Sequence, residues 1–164
     1  MIIMETKKTD KPKVEKKPAV AKKNAKIENA RYINAKNCIA GRLCSQVAKI
    51  LLKGEKVFVF NASDVVISGN KVYNQKDFLH ETTKGDPYHG PFYPKNSEKI
   101  IKRITRGMLP KKPRGMEALK NLKVFSSVPA EFKNVKPEVL DKTVNRLECK
   151  FVRLGDISKF LGAK

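Results

Sequence analysis

Lys99, Lys102, Arg103 and Arg106 stand at i, i+3, i+4 and i+7. At ~100° per residue these four cations fall in one stripe of a helix, and Ile100, Ile101, Ile104 and Met108 fall on the opposite side. One face of such a helix enters an apolar core while the other holds out positive charge. An ordinary solvated face mixes signs, and here Glu98 is the only acid nearby. The next stretch reads Arg106-Gly107-Met108-Leu109-Pro110-Lys111-Lys112-Pro113-Arg114-Gly115, so Lys111, Lys112 and Arg114 continue the charge into what reads as a stiff loop. Prolines reduce the entropy lost when a loop is fixed, and glycines let backbone come close to a phosphate. The chemistry of this pattern is the holding of a polyanion by its phosphates. Such contacts position a protein on a nucleic acid without reading its sequence.

Other chemistries find less support. Ser68-Gly69-Asn70-Lys71 resembles part of a phosphate-cradling loop, but the G-x-x-x-x-G-K-[ST] and G-x-G-x-x-G patterns are absent. There is no G-x-S-x-G elbow, and Asp64, Asp77, Glu81 and Asp86 are scattered rather than paired, so no catalytic constellation is present. Cys38, Cys44 and Cys149 form an odd set with no C-x-x-C pair, which disfavours a disulfide framework and a zinc site and favours reduced, buried thiols. His80 and His89 are the only histidines and have no ligand cluster around them. Tyr88, Phe92 and Tyr93 sit with His89 in a Gly/Pro-rich loop. They either stack on unpaired bases, as single-stranded RNA is often held, or anchor the loop to its own core.

The whole chain supports the polyanion reading. It has 164 residues, 36 Lys plus Arg against 16 Asp plus Glu, and a formal charge of +20. Self-repulsion of that size needs a polyanion or counterions to offset it. No run approaches the ~20 apolar residues that span a bilayer, and no secretory signal is expected. The charge has two locations. Residues 1–26 hold nine Lys and three acids, a net of +6, with Pro12 and Pro18 and few apolar side chains. That arm is expected to be disordered when free. Residues 27–164 carry the remaining +14 and form one expected domain. The stretch 95–123, which opens on Lys95, contributes +8 in 29 residues.

The elements that must position these groups follow from periodicity. Residues 31–35 read as a short strand. Leu43, Val47, Ile50 and Leu51 mark an amphipathic helix over 41–53, which Gly54 ends. Val57-Phe58-Val59-Phe60 is a continuous apolar run suited to a strand buried on both faces. Strand, helix and strand in so short a span predict a βαβ unit in a parallel sheet. Residues 65–67 extend the structure, 72–78 is ambiguous, and 82–95 read as loop. The cationic helix spans 96–107, capped by Asn96 or Ser97. Residues 116–122 look helical, 124–125 and 147–152 read as late strands, and 155–161 as a final short helix.

Taken in order, these motifs resemble the universal large-subunit ribosomal protein L-thirteen family. The resemblance rests on Ile33-Asn34-Ala35, Gly41-Arg42-Leu43, Asn61-Ala62, Ser68-Gly69-Asn70-Lys71, Gly90-Pro91-Phe92-Tyr93, Arg106-Gly107-Met108-Leu109-Pro110 and Leu122-Lys123-Val124-Phe125. Gly90-Pro91-Phe92-Tyr93 and the ending Leu154-Gly155-Asp156 with Leu161-Gly162-Ala163-Lys164 are closer to archaeal than to bacterial members. The resemblance implies an α/β fold, a three-layer α/β/α domain on a mostly parallel sheet of about four strands. It implies binding to large-subunit ribosomal RNA beside neighbouring large-subunit ribosomal proteins, a part in subunit assembly, and a place in the cytoplasm within the ribosome. It implies no catalysis, no cofactor, no metal and no small-molecule substrate. The family's basic helix and loop carry over onto Lys99, Lys102, Arg103, Arg106, Lys111, Lys112 and Arg114, and its glycine turn onto Gly69-Asn70-Lys71. Arg42 and Lys95 complete the set of expected RNA contacts. A free nucleic-acid-binding module and a nucleotide-dependent α/β enzyme built on the first βαβ unit are the rival readings.

Overall fold

The structure, a computed structural model, describes residues 30–86 and 88–163. The basic arm expected over residues 1–26 lies outside the described residues. Strand β1 (Ala30–Asn34), helix α1 (Ala40–Leu52) and strand β2 (Lys56–Phe60) form the expected βαβ unit, with β1 and β2 parallel from Ala30 beside Lys56 to Asn34 beside Phe60. Strand β4 (Leu122–Val124) adds to the other side of β2, again parallel. Beside β1 a fourth lane is reduced to one bridge: Asn34 N–H donates to the Glu138 carbonyl at 2.9 Å, and Glu138 N–H to the Tyr32 carbonyl at 2.7 Å. The order is β1-β2-β4, which makes β2 central and explains its unbroken apolar sequence.

Pleating sorts that sequence between two faces. Ile33, Val57, Val59 and Leu122 join one core cluster with Leu43, Val47 and Leu51 of α1. Helices α3 (Ser97–Met108) and α4 (Pro113–Lys120) complete this layer, adding Ile100, Ile101 and Ala118. On the other face Tyr32, Phe58, Phe60 and Phe125 gather around Phe132, whose ring centroid lies 5.4–6.0 Å from each of theirs. The mixed α/β architecture is the expected one. Its far layer is an aromatic cover from a single helical turn, Ala130–Phe132, rather than a long helix.

A second, smaller sheet pairs β3 (Val66–Ser68) antiparallel with β5 (Phe151–Arg153). With α2 (Lys71–Thr83) and α5 (Leu154–Phe160) it encloses Val152, Ile157 and Leu161, sharing Ile67 and Phe78 with the main core's periphery. The ambiguous stretch 72–78 is helical because Asn70 caps it, its side chain accepting from Val72 N–H. Only Asn74 in α2 is buried and Phe78 half-buried, so the pattern offered little period to read. The late strand expected over 147–152 shortens to β5, and Leu147 N–H bonds instead to the Asn145 side chain in a local turn.

Candidate nucleic-acid interface

Helix α3 turns Ile100, Ile101 and Thr105 inward and leaves Lys99, Lys102, Arg103 and Arg106 exposed. Thr105 fits the apolar side because its hydroxyl donates to the Ile101 carbonyl one turn back. Met108 departs from the expected inward stripe: it is 42% exposed, and Leu109 takes the buried place. The helix ends there, with Leu109 in an extended conformation, so the helical period no longer directs its side chain.

Glu98, the one acid of this helix, is turned away from the cations. Its carboxylate accepts the Ser126 N–H at 2.8 Å and the Ser126 hydroxyl at 3.0 Å, just past the end of β4. Among the described residues, Arg31–Glu55 is the one ion pair made by a Lys or Arg. Among the described residues the exposed stripe therefore forms no ion pair.

The stripe leads into a cleft of about 490 Å³ lined by Arg103, Arg106, Gly107, Pro110, Lys111 and Met116. Lys112 is exposed beside it as the residue that precedes α4. The expected loop is shorter than the sequence suggested. Pro113 opens α4, because a proline costs nothing at a first helical position, where no N–H partner is available. Arg114 and Gly115 are consequently helical. Gly115 serves the close approach of α4 to Pro110, not the approach of a phosphate. Arg114 points elsewhere, donating to the Leu52 carbonyl at the end of α1 at 3.1 Å.

Arg103 has two roles. Its guanidinium lies 4.5 Å from the Tyr93 ring centroid and donates to the Phe92 carbonyl at 3.3 Å, so it clamps the preceding loop to α3. Tyr93 meets Phe78 edge-on, and burial pushes its hydroxyl pKa up while the Arg103 charge opposes that rise. Of the loop aromatics, Tyr93 is thus an anchor, and Tyr88 and Phe92 stay exposed.

The remaining expected contacts are placed apart. Lys95 is exposed at the start of α3, its carbonyl accepting from the Ser158 hydroxyl of α5 at 2.8 Å. Arg42 is exposed near the first turn of α1, the end opposite Leu52 and about 15 Å along the axis. Lys71 is exposed at the start of α2, which packs on β5 and α5. Its glycine turn is built for the fold: Gly69 has φ +115° and donates to the Lys150 carbonyl, and the Asn74 amide donates to Ser68. The cleft residue absent from the expected contacts is Met116, which the sequence marks only as the first residue of a helix that in the structure begins at Pro113. Cys38 and Cys44 are buried as expected, whereas Cys149 is exposed.

The family model described as Ribosomal protein L13 matches residues 28–131. "Large ribosomal subunit protein uL13" of Picrophilus torridus is 45% identical over 132 residues, covering 80% of this chain and 96% of that protein. The protein of that name from Methanopyrus kandleri is 42% identical over 140 residues, 82% of this chain and 88% of its own. That from Methanosarcina barkeri is 39% identical over 136 residues, 80% and 97%. With this match over the sheet, the cationic helix and the cleft, the chain is a member of the ribosomal protein L13 family, of the archaeal type.

Proposed function

We propose that this protein is a structural, non-enzymatic constituent of the large ribosomal subunit, in the cytoplasm, that holds large-subunit ribosomal RNA and supports assembly of the subunit. Residues 27–164 act as the binding unit. The relatives' shared name supports the coarse reading. The observation that carries the finer one is the exposed row Lys99, Lys102 and Arg106 running into the Lys111 cleft, with Glu98 withdrawn to Ser126. Phosphates are the groups that match such a row: each one neutralised releases counterions, which gives binding a steep dependence on salt. Lys112 and Lys95 extend the row at its two ends, and neighbouring ribosomal proteins pack around the same RNA. Arg42 and Lys71 are offered to other parts of the RNA.

The test has two parts. The protein co-sediments with large subunits in sucrose gradients of native lysate and leaves that fraction after RNase treatment. Replacing Lys99, Lys102, Arg106 and Lys111 together by Ala lowers the salt slope of log affinity for RNA by about three units, at ~0.7–0.9 per phosphate. An unchanged slope would remove this face from the RNA-binding role. Sedimentation free of ribosomes would favour a free nucleic-acid-binding module.

A further inference from the structure

Two aromatic rings of the loop that Arg103 clamps to α3 are largely uncovered among the described residues. Phe92 is 68% exposed and Tyr88 89% exposed. Such rings are costly to leave in water, yet the loop that carries them is tied down. Asp86 accepts the Tyr88 N–H at 3.0 Å and is joined to His89 at 3.0 Å, and Gly90 N–H donates to the Asp86 carbonyl at 2.9 Å. Arg103 holds the Phe92 carbonyl and the Tyr93 ring.

The Phe92 ring is backed on one side. Gly90 has φ +77°, and a Cβ there would come within 3.1 Å of the Phe92 Cδ2 and Cε2 atoms. The bare glycine therefore lets the ring lie against the backbone while its other side is open. Arg103 is common to this loop and to the cleft, so an open aromatic platform adjoins a phosphate-holding groove. That pairing is how unpaired bases are held: the cations track the backbone and the π-faces stack on bases. A protein partner's apolar side chain laid on Phe92 would have to come close to the Arg103 charge as well.

We infer that the RNA at this face presents unpaired nucleotides, and that Phe92, with Tyr88 at the loop tip, stacks on their bases. The inference rests on the proposed RNA-binding role of the face. Stacking is tolerant of sequence, so a synthetic probe suffices.

The full chain is titrated with two RNAs of equal length, a perfect duplex and the same duplex bearing a three-nucleotide bulge with 2-aminopurine at its centre. The bulged RNA binds more tightly, and its 2-aminopurine fluorescence is quenched. Phe92→Ala weakens bulged-RNA affinity by roughly 5- to 100-fold and abolishes the quench, leaving duplex affinity and the salt slope unchanged. Phe92→Tyr restores both, which separates loss of the ring from loss of the loop. Equal affinity for the two RNAs, or a quench that survives Phe92→Ala, overturns stacking while salt-dependent duplex binding keeps the broader reading intact. Loss of ribosome co-sedimentation in Phe92→Ala with RNA affinity untouched points to a protein partner and overturns stacking too. If neither RNA binds, both readings fall together.

Discussion

Gly115 and the Pro110 carbonyl are in direct apposition: a Cβ on Gly115 would overlap the Pro110 oxygen and stand 3.0 Å from its carbonyl carbon. The first turn of α4 is thereby folded against the chain leaving α3. This closure sets Met116 and Lys111 across from Arg106.

Gly115→Ala is expected to destabilise the protein by about 1–3 kcal/mol through forced overpacking, although Ala is the better helix former by ~1 kcal/mol. Gly107→Ala provides the contrast. Nothing lies within 4 Å of its added Cβ, so it gains about 0.5–1 kcal/mol. Urea denaturation of both variants measures the difference. Equal stability of parent and Gly115→Ala would show that α4 shifts at no cost.

Arg114→Ala and Arg106→Ala should separate stability from binding. Arg114 is spent on the Leu52 carbonyl, so its loss costs about 0.5–1 kcal/mol and leaves the salt slope alone. Arg106 makes the opposite pair of changes: the slope falls by ~0.7–0.9 and stability holds. Binding titrations at several salt concentrations, with thermal melts of the same samples, decide the matter.

Phe132→Ala removes the ring at the centre of the aromatic cover and is expected to cost about 2–4 kcal/mol. Phe132→Leu retains bulk and costs less. A small loss for the Ala variant would mean that Phe58 and Phe60 are kept dry by other residues.

Removing the charge over Tyr93 has a predictable sign. Burial raises the pKa of this hydroxyl and the Arg103 cation lowers it, so Arg103→Ala moves it further up. The same change lets the amide hydrogens of Gly90, Phe92 and Tyr93 exchange faster. An NMR titration of the Tyr93 ring that shifts downward instead would refute the geometry.

The thiols should report burial and pH together. Ellman's reagent modifies Cys149 in the native protein, and reaches Cys38 and Cys44 only on unfolding. Burial holds both buried thiols above the ordinary value of 9.0, a rise that the hydroxyls of Thr143 beside Cys38 and Thr105 beside Cys44 partly oppose. Below that pH they are neutral in both states and contribute no slope. Above it the unfolded chain ionises first, so stability declines as pH rises. Replacing both by Ala should flatten that decline relative to the parent in chemical denaturation.

The cationic face was legible because helical period alone fixes which side chains share a side, and Lys99 to Arg106 obey it. Met108 departs from the stripe because period does not announce where a helix stops. Arg114 and Gly115 look like loop in the sequence because Pro113 interrupts a helix in its interior but opens one at its start. The inward turn of Glu98 depends on Ser126, distant in sequence, and no local pattern encodes such a partner. The central strand was legible from its apolar run. Its far cover was not, since Phe132 lies among prolines and charges and declares its role only by meeting four rings.

That cover also bears on the order of synthesis. The family match ends at residue 131, one residue before Phe132. Until Phe132 has been made, Tyr32, Phe58, Phe60 and Phe125 have no lid, and β3 awaits β5, the penultimate element made. Ile39 N–H likewise awaits the Thr143 carbonyl, and the Val65 carbonyl awaits Leu154 N–H. The nascent chain thus leaves an aromatic sheet face uncovered until Phe132 has emerged. A chain truncated near the family boundary keeps that face open, and exposed apolar surface of this kind is what makes partly folded chains prone to aggregation.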